Sequence, residues 1–197
     1  MELKNWSHPT DAVKIIEGKE NNERTIQLYT NGSKSEHGVG SGVAIFAGNE
    51  LAAQLKFNLD KKSSNNRAEQ LAILKALQAT ETLDITKNGT LTAAIFTNSR
   101  IAIDTLENIK NHNFLIEEIR KKVFILETTN WTIEFSWLKA HVGTFGNELD
   151  YQLTKEAARN RDATISNKIP KGTLISEIEE ESIKNGTKNG VDVRREK

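Results

Sequence analysis

The hydrophobic pattern between residues 25 and 160 changes its period several times, and the order of these changes limits the folds that the chain can adopt. Residues 25–30, 39–46 and 51–57 show the alternation or the short apolar runs that are typical of strands. Gly48-Asn49, between the second and the third, is a hairpin signal. This part of the sequence therefore predicts an antiparallel meander.

Helical and strand patterns alternate in the remainder of this region. Helices are predicted at 65–80, at 99–107, from Asn113 onwards and at 147–160, and strands at 91–97 and 132–138. The helix at 65–80 is apolar around most of its circumference, which indicates deep packing against a sheet. The order is three strands, helix, strand, two helices, strand, helix. It predicts an α/β fold with a mixed sheet covered by helices.

Composition excludes several classes of function. The chain has 197 residues, 27 Lys and Arg against 27 Asp and Glu, and no Cys, so it has neither a disulfide scaffold nor a thiolate metal site nor a cysteine nucleophile. Residues 25–160 are also neutral on their own, so any nucleic-acid binding must depend on a local site rather than on the overall field. The apolar runs are too short to span a bilayer, and no membrane association is expected.

Both ends of the chain differ in composition from the middle. Residues 1–24 and 161–197 are polar, and only a short stretch near 172–184 has helical spacing. We therefore predict tails or linkers at 1–24 and 161–197 around a single domain at 25–160. No signal peptide pattern opens the sequence, which favours an intracellular location, cytoplasmic or nuclear.

Polar side chains follow two strands that are predicted to be parallel neighbours. Asn31 and Asn98 each come directly after a strand that ends on Thr, and such ends face one crevice. Each Asn also has a structural interpretation, as a turn at Asn31-Gly32 and as the cap of the helix after Asn98. Glu69 is an acid in a nearly apolar helix, where burying its carboxylate costs free energy unless the charge is compensated. The helix N-terminus is one source of compensation, and a functional site is the other.

Five motifs in order resemble ribonuclease H (RNase H) type 1, in the form found in non-LTR (LINE-type) retrotransposon polyproteins. They are Tyr29-Thr30-Asn31-Gly32-Ser33, Asn65-Asn66-Arg67-Ala68-Glu69, Thr97-Asn98-Ser99, Trp137-Leu138-Lys139-Ala140-His141 and Gly146-Asn147-Glu148. The resemblance implies a five-stranded mixed sheet, three strands antiparallel and two parallel, with helices on both faces. It also implies cleavage of the RNA strand of an RNA·DNA hybrid by two Mg²⁺ ions, held by three Asp and one Glu.

The sequence departs from that ligand set. The resemblance places the four ligands at Asn31, Glu69, Asn98 and Tyr151, so that only Glu69 keeps a carboxylate, and it places an assisting loop histidine at His141. Two divalent cations need several anionic oxygens around them. We therefore expect weak or absent Mg²⁺ binding and impaired or lost catalysis. Asp150, next to Tyr151, is the alternative ligand; its spacing to Leu153 and Ala157 predicts a buried face instead.

The resemblance also implies a groove for nucleic acid. The positions that approach the hybrid backbone in the family correspond to Ser33, Asn65, Asn66, Arg67 and Ser99, although Asn65-Asn66 could equally be a helix cap. The Arg120-Lys121-Lys122 run is interpreted as a solvated helix face.

Three functions stay open from the sequence. The first is a catalytically dead domain that binds a hybrid or double-stranded RNA weakly, as a monomer. The second is a working or residual hybrid ribonuclease that uses Glu69 and Asp150. The third is a partner-binding module in which the groove plays no part.

Overall fold

The computed structural model describes residues 14–16, 25–48, 50–82, 91–139, 145–159 and 164–166. Its centre is one mixed sheet of seven strands. In chain order these are β1 (Lys14–Ile16), β2 (Thr25–Ser35), β3 (Gly38–Ala47), β4 (Glu50–Leu59), β5 (Leu91–Thr97), β6 (Trp131–Trp137) and β7 (Thr164–Ser166). The spatial order across the sheet is β1-β6-β5-β2-β3-β4-β7.

The five predicted strands are confirmed as β2 to β6. The meander of β2, β3 and β4 is antiparallel, whereas β5 pairs in parallel with both β2 and β6. Gly48, at the β3–β4 turn, has a φ of 63°, a left-handed conformation that glycine adopts without steric cost. β1 and β7 add three residues each in parallel at the two edges, within the segments that we expected to be tails. The division into a domain at 25–160 and two tails stays a prediction.

Four helices cover the sheet: α1 (Asn65–Thr82), α2 (Arg100–Glu107), α3 (Phe114–Thr128) and α4 (Phe145–Arg159). Ser99 is the N-cap of α2, since its side chain accepts a hydrogen bond from the Ala102 N–H, and Asn113 caps α3 in the same way. The interpretation of Asn98 as the cap was therefore wrong by one residue. The helical spacing near 172–184 lies outside the described residues.

The core has two layers, one on each face of the sheet. The larger layer packs α1 and α3 against the sheet, and Leu28, Ile73 and Ile116 are fully buried in it. The smaller layer lies under α4, where Leu153 packs with Tyr29 and Phe96. α1 and α4 thus meet the sheet from opposite faces beside β2, where α1 approaches Gly32 and α4 contacts Asn31. No helix within the described residues is long and apolar enough to cross a membrane.

Candidate active site

A groove of ≈ 460 Å³ opens where the parallel pairing of β2 with β5 ends. Three helices, α1, α2 and α4, contribute to its walls. Eleven residues line it: Asn31, Gly32, Ser33, Asn65, Asn66, Glu69, Asn98, Ser99, Arg100, Ile101 and Tyr151. Most of these side chains are short, polar and neutral, which is the composition of a surface that recognises by hydrogen bonding.

Asn31 and Asn98 lie side by side at the base of the groove because of the strand register. β2 and β5 are parallel and their pairing ends at Thr30 and Thr97, so Asn31 within β2 and Asn98 just after β5 enter the groove at the same level. β2 continues to Ser35 and pairs Asn31 and Gly32 with β3, so the interpretation of Asn31-Gly32 as a turn was wrong. Thr30 Oγ1 also donates to the Phe96 carbonyl at 3.1 Å. The predicted convergence of the two Asn residues in one crevice is what the register produces.

Glu69 reaches the groove from α1 and is only 4% exposed. An added Cβ on Gly32 would collide with the Glu69 backbone nitrogen, so the helix approaches β2 this closely only because residue 32 is glycine. Ser41 Oγ donates to the Ala68 carbonyl at 2.6 Å and fixes the same turn of α1 against β3. Burial raises the pKa of the Glu69 carboxyl to about 8; a hydrogen bond from the Gly32 N–H opposes the shift, and the charge of Asp150 adds to it.

Asp150 lies on the buried face of α4, 1% exposed, together with Leu153 and Ala157, as its spacing predicts. Asn31 Nδ2 donates to Asp150 Oδ1 at 3.4 Å. Burial raises the pKa of the Asp150 carboxyl to about 8, although hydrogen bonds from Asn31 and from the Tyr151 N–H oppose that rise. The Asp150 carboxylate therefore contacts one of the positions where the resemblance implies a metal ligand, without lining the groove itself.

Tyr151 lines the groove and is partly exposed. The ammonium of Lys155, one helical turn further on, lies 4.3 Å from the centre of the Tyr151 ring, a distance suited to a cation–π contact. The groove-lining side chain and the carboxylate are therefore on different residues: Tyr151 lines the groove, whereas Asp150 is buried and does not line it.

The other predicted binding residues occupy different positions around the groove. Ser33, Asn65, Asn66 and Ser99 line it, whereas Arg67 is partly buried and does not. Asn65 is not the cap of α1, because Ser64 Oγ accepts from the Arg67 N–H at 3.2 Å and takes that role. Asn65 Oδ1 instead accepts from the Lys34 N–H at 3.1 Å and ties α1 to β2. His141 lies outside the described residues.

Two lining residues escaped the sequence prediction. Arg100 and Ile101 form the first turn of α2 and face the groove directly after Ser99. Arg100 lies 5.9 Å from the ring of Trp137, whose indole Nε1 donates to the Asn98 carbonyl at 3.1 Å. Their position in the sequence was the available signal. They follow Asn98 and Ser99 directly, so the first turn of α2 borders the groove that these two residues line.

Oxygen donors able to hold a divalent cation are the carboxylates of Glu69 and Asp150 and the amide oxygens of Asn31 and Asn98. Within the part of the chain that the structure describes, no three His, Asp or Glu side chains come together as a metal-binding group. One oxygen of each carboxylate, Glu69 Oε2 and Asp150 Oδ2, is buried and has no hydrogen-bond partner.

The order of the elements and the groove beside the central parallel strands β2 and β5 define an RNase H-like α/β fold. Solved structures with this fold include the N-terminal RNase H domain of a Mycobacterium tuberculosis protein, which is 16% identical with a TM-score of 0.53 over 68% of this chain and 98% of that one. A type 1 RNase H from the archaeon Halobacterium salinarum is 19% identical with a TM-score of 0.50, over 68% of this chain and 96% of the other.

Sequence comparison identifies the family. Residues 23–159 match the RNase H family, and the chain is 30% identical over 152 residues to a ribonuclease H of Francisella philomiragia, covering 71% of this chain and 92% of that protein. The chain therefore belongs to the RNase H family. That family acts on RNA·DNA hybrids and generally uses Mg²⁺.

Proposed function

We propose that this chain is an RNase H domain that binds RNA·DNA hybrids in the groove with its two-ion cleavage impaired or lost. One observation carries the proposal: Asn31 in β2 and Asn98 directly after β5 both line the groove where the parallel pairing of these strands ends, at positions where the resemblance implies two aspartates. Two divalent ions bring four positive charges into the site, and neutral amide oxygens do little to offset their mutual repulsion.

The charge of the groove supports the same conclusion. Among the eleven lining residues only Glu69 and Arg100 carry side chains that are ordinarily charged, and burial raises the pKa of Glu69 to about 8. A neutral, polar groove repels phosphate less than a cluster of carboxylates does. Short side chains such as Ser33, Asn66 and Ser99 suit contacts with 2′-hydroxyls across a shallow minor groove.

The test has a binding arm and a cleavage arm. Fluorescence anisotropy with labelled hybrid, double-stranded RNA and double-stranded DNA of one sequence should show the tightest binding to the hybrid or the RNA. Asn66→Ala, on the groove wall, should weaken it, whereas Gln54→Ala, exposed on β4 away from the lining residues, should not. Absent binding, or binding that Asn66→Ala and Arg67→Ala leave unaltered, favours the partner-binding module.

The cleavage arm uses a labelled hybrid in Mg²⁺ and in Mn²⁺. The wild-type chain should give no cleavage above background, and a variant with Asn31→Asp, Asn98→Asp and Tyr151→Asp should regain it, since scaffold and groove are kept. Wild-type cleavage that follows the protein through purification and disappears in Glu69→Gln would refute the proposed loss.

A second candidate, residual hybrid cleavage, is favoured by the contact between Asp150 and Asn31. It requires that Asp150→Ala abolish activity measured in Mn²⁺. The origin in a LINE-type retroelement rests on the sequence motifs, and the monomeric state and the intracellular location also stay predictions.

A further inference from the structure

A second cavity, of ≈ 430 Å³, opens at the turn between β2 and β3. Its lining residues come from three parts of the fold: Glu36 and His37 from that turn, Lys61 from the loop after β4, and Arg159 from the end of α4. All four side chains are exposed. The cavity therefore presents a lysine, an arginine and an imidazole to solvent, against one carboxylate.

Close backbone packing brings these three parts together. β3 and β4 pair as far as Val39 and Leu59, so the β2–β3 turn lies beside the loop that follows β4. A Cβ on Gly38 would collide with the Ala158 carbonyl, so the turn rests against the end of α4 only because residue 38 is glycine. Asn58 Nδ2 donates to a backbone carbonyl in the last turn of α4 at 2.7 Å and ties this helix end to β4. The cavity walls are thus set by backbone contacts.

The charges that line the cavity favour an anionic ligand. Within the described residues, neither Lys61 nor Arg159 forms an ion pair with an acid. Glu36, the acid that lines the cavity, lies 3.5 Å from Nε2 of His37. Two like charges that border one cavity repel each other, and a bound anion relieves this repulsion.

We propose that this cavity binds a phosphate group of the nucleic-acid backbone through Lys61 and Arg159, with the imidazole of His37 as a further hydrogen-bond donor. The inference rests on the proposed function, since the ligand is the duplex that the groove binds. It deepens that function by a second contact site that lies outside the groove.

The groove itself supplies little of the positive charge that a polyanion needs. Its ordinarily charged lining residues are Glu69 and Arg100, whereas duplex binding depends largely on cations that neutralise phosphates. The whole chain is neutral, with 27 basic and 27 acidic residues, so attraction must come from a local excess of cations. The cavity provides such an excess.

Two segments of the chain connect the groove with the cavity. Ser33 lines the groove, and His37 lies four residues further along the β2–β3 hairpin. Asn65 also lines the groove, and Lys61 precedes it by four residues. Asn65 Oδ1 accepts from the Lys34 N–H at 3.1 Å and joins the two segments. Four residues span at most about 14 Å, and a duplex strand carries one phosphate per about 3.4 Å of axis, so the cavity can contact a phosphate within about four nucleotides of the groove.

Substitution of the two cations tests this site. We suggest fluorescence anisotropy with labelled hybrid over a range of salt concentrations, on the full chain. Lys61→Gln and Arg159→Gln should each weaken binding about three- to tenfold. The double variant should lose less than the product of the two single losses, because both cations bind one phosphate, and its slope of log K against log salt should fall by about one.

Three further variants control for net charge and for the groove. Glu36→Gln removes the acid of the cavity and should strengthen hybrid binding about two- to threefold. Lys121→Gln removes a positive charge from the exposed face of α3 and should leave the affinity unchanged. Asn66→Ala, in the groove, should weaken binding without a change in the salt slope. Since the substituted residues of the cavity are exposed, thermal unfolding of each variant should match the wild type.

Losses in Lys61→Gln and Arg159→Gln no greater than in Lys121→Gln would overturn the inference, and so would losses that multiply in the double variant. Thermal unfolding in inorganic phosphate at constant ionic strength tests the other source of this ligand. Stabilisation that Arg159→Gln removes, with hybrid affinity unchanged, would identify a site for free phosphate and overturn the backbone contact. If Asn66→Ala weakens binding and the cavity variants do not, the proposed function stands and this inference fails; absence of hybrid binding by the wild type overturns both.

Discussion

The side chain of Asn31 donates a hydrogen bond to Asp150 over 3.4 Å, which joins the middle of the central strand β2 to the first half of α4. The contact links residues 119 positions apart and places a buried acid against a residue that lines the groove. It holds only one Asp150 oxygen, so burial of the carboxylate remains incompletely compensated. The stability of the chain should therefore depend on the protonation of this acid and of Glu69.

We predict that Asp150→Asn stabilises the metal-free protein in alkaline solution. Folding raises the pKa of Asp150 from 3.8 and that of Glu69 from 4.5, both to about 8, so the folded state binds more protons between these values. The contribution of the two protonated carboxyl groups to the free energy of unfolding is therefore fully present below about pH 4 and is lost as the pH rises through 8.

Urea unfolding in a chelator at a series of pH values measures this effect. Above pH 8 the free energy of unfolding of Asp150→Asn should exceed that of the wild type by about 1–3 kcal/mol, which is the cost of an unsatisfied buried group. The difference should vanish towards pH 4. Glu69→Gln should behave alike, and the double variant should gain less than the sum, because the two charges interact. A stability difference that is independent of pH would contradict the assignment.

Arg120 anchors α3 to the end of α2, and its replacement should be severely destabilising. The guanidinium is fully buried and donates to the carbonyls of Thr105, Leu106, Asn108 and Asn111, and it pairs with Glu117 at 2.9 Å. Arg120→Met leaves these acceptors unsatisfied and should cost about 3–5 kcal/mol. Denaturant midpoints provide the measurement.

The neighbouring Lys121 is the matched control for this change. It is exposed and forms a surface ion pair with Glu118 at 2.9 Å, so Lys121→Met should change stability by about 0.5 kcal/mol or less. Equal effects at the two positions would show that the carbonyl contacts of Arg120 contribute little.

Gly42 sets the distance between α4 and β3. A Cβ at this position would lie 2.6 Å from both the Asp150 carbonyl and Thr154 Oγ1, closer than side-chain atoms pack. Gly42→Ala should therefore push α4 outwards, destabilise the fold by about 1–3 kcal/mol and weaken hybrid binding through displacement of Tyr151.

Gly48→Ala separates crowding from backbone strain. Among the described residues nothing lies within 4 Å of a Cβ at Gly48, but its φ of 63° disfavours alanine. This variant should cost about 1 kcal/mol and leave hybrid affinity unchanged. Thermal unfolding and anisotropy measure both quantities, and a loss of affinity in Gly48→Ala alone would contradict the role given to α4.

Sequence periodicity was sufficient for the main elements because each buries a regular apolar face. It gave no sign of β1 and β7, since three residues are too few to establish a period. The convergence of Asn31 and Asn98 in one groove was also accessible, because neighbouring parallel strands lead to the same crevice, whereas the place of Glu69 beside them followed from the family resemblance.

Hydrogen bonds between residues far apart in the chain could not be predicted from sequence periodicity. The Arg120-Lys121-Lys122 run looks like a solvated face, yet Arg120 is buried by carbonyls that converge only when α2 ends against α3. The partner of Asp150 is likewise invisible to spacing. The helical period predicts that Asp150 is buried, but it carries no information about the contact with Asn31 on β2.

Arg100 is the cation among the residues that line the groove, and its charge should contribute to hybrid affinity. It is exposed, pairs with Asp104 at 3.5 Å and lies over Trp137. An exposed ion pair of this kind is weak, so the guanidinium can leave Asp104 and bind a phosphate of the nucleic acid instead. Arg100→Ala should weaken hybrid binding about three- to tenfold and reduce the slope of log K against log salt by about one. Arg100→Lys, which keeps the charge, should retain the slope. Anisotropy titrations over a range of salt concentrations measure both, and an unchanged slope in Arg100→Ala would place the phosphates elsewhere.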